Sequence, residues 1–120
     1  MNVGDVFWVD LPARGGHAQA GRRPAIIAQN AEVSARLPTV LVVPLTTQQD
    51  ALRFPGTVLI EPDRENGLRR PSIILVFQLT VLDRRLVAER MGTASDVVMS
   101  AVWAALDEIT GRSRAVDQPR

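Results

Sequence analysis

The chain has 120 residues, a net charge of +1 and a hydrophobic share of 46%, which suits one folded domain with one modest core, not two, and argues against disorder. It has no cysteine, which excludes disulfide frameworks and thiolate chemistry. It also has no apolar run of about 18 residues and no basic-then-apolar N-terminus, so neither a membrane span nor a signal peptide is expected, and a cytoplasmic protein is.

In chain order, residues 3–9 (VGDVFWV) are rich in β-formers and predict a first strand. Residues 11–22 contain Pro12, Gly15, Gly16 and Gly21 and predict a loop longer than a tight hairpin needs. Residues 24–29 predict a second strand, and residues 30–36 a single helical turn. Residues 39–45 are β-branched and almost wholly apolar, the pattern of a strand buried on both faces. A polar loop is expected over 46–55, a strand over 56–60 and a charged turn region over 61–70. Residues 72–79 predict a strong strand that Val81, Leu82 and Asp83 continue past a bend, and residues 87–92 a last short strand. Ser95 has the chemistry of a helix N-cap with Asp96 in the first turn. Met99, Val102, Trp103, Leu106 and Thr110 then recur at helical spacing up to Gly111, a stop signal. Residues 1–113 are expected to form the domain and 114–120 a flexible tail.

All 14 basic residues are arginine. Their placement is more telling than their number. Residues 12–23 hold Arg14, His17, Arg22 and Arg23 and no acid, which suggests a small anionic site and not a long duplex-binding face. The segment Gly21-Arg22-Arg23-Pro24 places two guanidiniums before an apolar strand. Arginine is a permanently charged planar donor fork suited to phosphate. A second polar cluster, Pro44-Leu45-Thr46-Thr47-Gln48, follows another apolar strand and adds hydroxyl and amide groups. If the two strands are neighbours, the clusters converge on one anion. Taken alone, the two segments read first as a solvated loop arginine and a threonine-rich turn. One histidine, no cysteine and no tight carboxylate cluster leave no metal-ligand spacing, so no metal or cofactor is expected.

The order of the segments adds to this. Gly4-Asp5-Val6-Phe7-Trp8-Val9-Asp10-Leu11 opens the chain. Gly16-His17-Ala18-Gln19-Ala20-Gly21, Arg23-Pro24-Ala25, Val42 to Gln48 and Pro71-Ser72 to Gln78-Leu79 follow, and a helix closes it. Over residues 3–111 this series resembles the MazF/PemK family of toxin endoribonucleases. The resemblance implies a small SH3-like antiparallel β-barrel with a C-terminal helix, mainly β with α, usually a homodimer. It implies the toxin of a toxin–antitoxin pair, with single-stranded RNA and a cognate antitoxin as partners. It also implies metal-independent cleavage at a short sequence by 2′-hydroxyl attack, leaving 2′,3′-cyclic phosphate and 5′-hydroxyl ends. Arg23 and Thr46 match the family's catalytic positions. His17, Gln19, Arg22, Thr47, Gln48 and Gln78 are the candidate RNA contacts. Phe77 stands where many members carry an acid, and it reads either as a base-stacking ring or as core. Trp8 and Trp103 read as packing residues, Asp10 as a turn cap at the end of the first strand, and Arg69, Arg70, Arg84 and Arg85 as solvated surface. The alternative is a non-catalytic binding protein on the same scaffold, either like the CcdB toxin, which binds gyrase, or an RNA-binding dimer.

Overall fold

The computed structural model describes residues 1–112. The tail expected at 114–120 lies outside them, as does residue 113. The described chain runs β1 (Asp5–Leu11), β2 (Gly21–Ile27), α1 (Ala31–Ser34), β3 (Thr39–Thr46), β4 (Thr57–Ile60), β5 (Ser72–Leu75), β6 (Thr80–Asp83), β7 (Val87–Thr93) and α2 (Asp96–Thr110). Short 3-10 turns occupy Gln49–Arg53, Val76–Gln78 and Arg84–Leu86.

The strands form one antiparallel sheet in the order β4-β5-β3-β2-β1-β7, with β6 also paired to β3. β3 is the hinge of this arrangement. Ala25, Ile26 and Ile27 of β2 pair with Pro44, Val43 and Val42 along one edge of β3. Its other edge is divided: β6 takes Thr39 to Val42, and β5 takes Leu45 and Thr46. The single strand expected over 72–79 is therefore cut short. The 3-10 turn Val76–Gln78 steps the chain from one half of that edge to the other, with Phe77 N–H donating to Gly56 O at 3.2 Å.

The expected SH3-like barrel is present as a curled sheet with no ladder between β4 and β7 among the described residues. Residues 61–71 bridge that gap. Thr93 N–H donates to Glu65 O at 2.7 Å. Glycine permits the approach: a side-chain carbon on Gly92 would collide with the Glu65 carbonyl, and one on Gly67 with the Met91 carbonyl.

The expectation of a single core is corrected. The buried residues fall into two clusters that share strands. Val6, Ile26, Val43, Leu45, Ile74, Met99 and Val102 belong to the cluster under α2. Val9, Ala25, Ile27, Val40, Val42 and Leu82 belong to the other. Alternate residues of β2 and β3 point to opposite clusters, which is why those strands read as continuous apolar runs.

The helix caps stand as expected. The Ser95 hydroxyl accepts from Val98 N–H at 3.1 Å, and Gly111 closes α2 with φ 76°. The helix face is narrower than the spacing suggested. Met99 and Val102 are buried, whereas Trp103 is 37% exposed and is not a core residue. Among the described residues no helix is long and apolar enough to cross a membrane.

Candidate active site

β2 begins earlier than expected, so Arg22 and Arg23 lie in the strand and not in the loop. Pro24 restrains the residue before it to extended backbone, and Arg23 pairs with Val9 of β1. Carried two residues further, the register between β2 and β3 sets Arg23 beside Thr46 at the end of β3. Side chains in a strand alternate, so Arg22 and Arg23 part company. Arg22 forms an ion pair with Glu89 on β7, and its guanidinium lies over the Trp8 ring at 5.0 Å from the centroid. That hydrogen bond holds the Glu89 carboxyl below its ordinary range. Trp8 is thus a partly buried stacking partner. Asp10, expected to cap a turn, is an exposed residue inside β1 opposite Arg22.

Arg23 donates from Nε to Ala20 O at 3.1 Å and from Nη1 to Leu45 O at 3.4 Å. Among the described residues no carboxylate pairs with it. Two backbone carbonyls orient the fork, and its remaining N–H groups and its charge are left for a ligand. Thr46 is 7% exposed, and its hydroxyl oxygen accepts from Gln48 N–H at 3.2 Å. That bond uses an acceptor site, so the hydroxyl proton can still be donated.

Two clefts meet at Thr46. One, of about 190 Å3, is lined by Arg22, Arg23, Thr46, Thr47 and Ser72. The other, of about 460 Å3, is lined by His17, Gln19, Thr46, Gln48, Phe77 and Gln78, with Asp50 and Phe54 at its wall. The structure therefore brings Arg23, Thr46 and Thr47 together, and sets His17, Gln19, Gln48 and Gln78 in the adjoining cleft. Arg22 lines the first cleft too, with its guanidinium paired to Glu89. Gln78 is already engaged: its Oε1 accepts from Gln19 N–H at 2.8 Å, and its Nε2 donates to His17 O at 3.2 Å. Phe77 is 39% exposed, so the core reading fails; its ring lies 5.7 Å from that of Phe54.

Ser72, Asp50 and Phe54 were missed from sequence. Ser72 opens β5 next to Ile73, which pairs with Thr46, so strand register would have found it and local pattern could not. Of the arginine doublets, Arg84 donates to Ser34 O at 2.7 Å and to Leu37 O at 3.3 Å, Arg85 pairs with Asp83, and Arg69 and Arg70 stay exposed. Among the described residues no group of three or more His, Cys, Asp or Glu is placed to hold a metal ion.

The chain is thus a small β protein, a curled antiparallel sheet with a C-terminal helix, in which an arginine and a threonine meet at one cleft. The family model of the PemK-like, MazF-like toxin of type II toxin–antitoxin systems matches residues 2–110. The chain belongs to that family. It is 35% identical over 107 residues to the endoribonuclease MazF of Staphylococcus saprophyticus, which spans 89% of this chain and 88% of that protein. It is 32% identical over 103 residues to the endoribonuclease EndoA of Bacillus subtilis, over 86% of this chain and 88% of the relative. Among solved structures, MazF of Deinococcus radiodurans superposes with a TM-score of 0.79 at 26% identity, covering 92% of this chain and 96% of the other. A MazE–MazF structure from the same organism gives a TM-score of 0.74, also at 26% identity, over 94% and 97%.

Proposed function

We propose that this chain is the toxin of a toxin–antitoxin pair and acts as an endoribonuclease on single-stranded RNA. The observation that carries the reading is the meeting of Arg23 and Thr46 at one cleft, in a chain 35% identical to a protein named as an endoribonuclease. The gyrase-binding alternative has no counterpart among these relatives.

RNA carries its own nucleophile. The 2′-hydroxyl attacks the adjacent phosphate in line, the bond to the 5′-oxygen breaks, and a 2′,3′-cyclic phosphate and a 5′-hydroxyl remain. The enzyme must hold that geometry, take one proton, return another and stabilise the crowded phosphorane. None of these tasks requires a metal. The Arg23 fork meets the charge that grows on the phosphate, and the Thr46 hydroxyl donates to a phosphate oxygen. With Phe77 in place of an acid, the groups in the adjoining cleft able to accept a proton are His17 and Asp50. Single-stranded RNA can splay into the clefts, whereas a duplex hides its bases and resists in-line geometry.

The same reading gives the chain a protein partner. A MazE–MazF assembly exists for the Deinococcus relative, and a cognate antitoxin here would lay an acidic and apolar segment over Arg23 and residues 12–22. The site of action is the cytoplasm, where messenger RNA is found. Sequencing the ends that the purified protein produces from a broad RNA library, in excess chelator, tests the reading. Cuts at one short motif with cyclic-phosphate ends are expected. A strict need for magnesium would reject the chemistry, and intact RNA with folded protein would reject the enzyme.

A further inference from the structure

The loop of residues 12–20 carries His17 and Gln19 and has little of its own to hold it. Gly15 and Gly16 take φ of 74° and 61°, and a side chain at either would meet nothing. A turn at Gly16 and His17 is the loop's own backbone structure among the described residues, and no backbone hydrogen bond ties the loop to the strands. Side chains hold it instead. Arg14 Nη2 donates to Val81 O at 3.3 Å, and Arg23 Nε donates to Ala20 O at 3.1 Å. Between these two anchors Gln78 grips the loop twice, accepting from Gln19 N–H at 2.8 Å and donating to His17 O at 3.2 Å.

The other end of this connection is rigid. Gln78 ends the 3-10 turn between β5 and β6, and both strands pair with β3, which ends at Thr46. A primary amide donates and accepts from one planar group, which is what a carbonyl and an N–H two residues apart demand. One acceptor site on Oε1 and one N–H on Nε2 are thereby committed to the loop.

Resting on the endoribonuclease reading, the geometry points to Gln78 as a positioning residue: its amide latches the 12–20 loop beside Thr46 and so presets His17 and Gln19 for RNA. Loosening the latch makes RNA order the loop at the moment of binding. Half-saturation should rise, because part of the binding energy is then spent on ordering the loop.

Two variants test this. Gln78→Leu removes both bonds at similar volume. Amide hydrogen exchange on the RNA-free protein should quicken at residues 12–20 by on the order of ten-fold and stay unchanged in β3. With a pool of randomised single-stranded RNA, half-saturation should rise by a similar factor. Gln78→Glu adds a pH signature. As a neutral acid its O–H donates to His17 O and its carbonyl accepts from Gln19 N–H; as a carboxylate it loses the donor and faces the His17 carbonyl. The variant-to-parent ratio of half-saturation should therefore fall towards one as pH drops through the carboxylic-acid range, from about 6 to below about 4. The charged groups facing Gln78 across the clefts are Arg14, His17, Asp50 and Arg53.

Unchanged loop exchange in Gln78→Leu, or a flat ratio for Gln78→Glu, overturns the proposal. So does a changed cut-site preference with loop exchange intact, which would make Gln78 a direct reader of RNA. Should Gln78→Leu melt much earlier than the parent, the Gln78→Glu profile decides. If the parent cuts no RNA at all, the endoribonuclease reading fails, and the exchange measurement still decides the latch.

Discussion

Pro24 shapes the site through the residue before it. It keeps Arg23 extended, and the strand then sends neighbouring arginines to different tasks: Arg22 to Glu89 and Trp8, Arg23 to the cleft with Thr46. Thr46→Ala should slow cleavage by roughly ten-fold or less, because it removes one neutral donor worth on the order of 1 kcal/mol. Single-turnover rates check this. The Arg22–Glu89 pair makes a pH prediction. Its hydrogen bond depresses the folded-state pKa of Glu89, so its contribution is present above the unfolded value and is lost as pH falls through the folded one. Both side chains are largely exposed, so the effect on stability is small. An NMR titration of the Glu89 carboxyl should show its midpoint rise in Arg22→Ala. Arg23 and Thr46 stand out in the sequence through the order of segments that carries the family resemblance, since each local motif taken alone reads as solvated surface. The engagement of Gln78 was not legible, because its partner Gln19 is 59 residues away and only the fold brings them together.

Most of the strands, and the last helix, were legible for reasons the packing makes plain. β2 and β3 read as unbroken apolar runs because their two faces feed different clusters. Ser95 and Gly111 announced the ends of α2 through capping chemistry that needs no tertiary partner. The division of residues 72–83 into β5, a turn and β6 was not legible, since it arises from two strands sharing one edge of β3. Nor was the outward place of Trp103, whose spacing matched the apolar face but whose side chain lies at its margin. The bridge across the open side of the sheet is the element most sensitive to change. Gly92→Ala should cost about 2 kcal/mol or more, because the added carbon meets backbone that cannot move without shifting residues 65 and 66. Ser95→Ala should cost about 1 kcal/mol through the lost cap. Urea denaturation of both variants checks the values, and equal losses would mean that the bridge is more yielding than its geometry implies.

At the scale of the whole molecule, a small sheet with two thin clusters leaves apolar surface uncovered. Phe54, Phe77 and Ile109 are each about two-fifths exposed; Phe54 and Phe77 pack ring against ring, and Phe77 and Ile109 both lie against Gly56. Such a surface suits a second copy, and light scattering at micromolar concentration should give twice the 13.1 kDa of the chain. A monomer there would contradict that expectation while leaving the chemistry of the cleft intact. The chemistry itself rests on Arg23. Its guanidinium is oriented by two carbonyls and has no acid partner among the described residues, so its charge is available to a phosphate. Losing one such preorganised donor typically costs on the order of 3 kcal/mol, roughly a hundred- to thousand-fold in rate. Arg23→Lys should recover only part of that, since it keeps the charge and loses the fork. The most direct test is single-turnover RNA cleavage by Arg23→Ala in excess chelator, paired with its thermal melt. The account predicts a collapse of the rate by that factor with the melt preserved. Near-parental cleavage, or a loss of rate that merely follows a loss of folding, would contradict it.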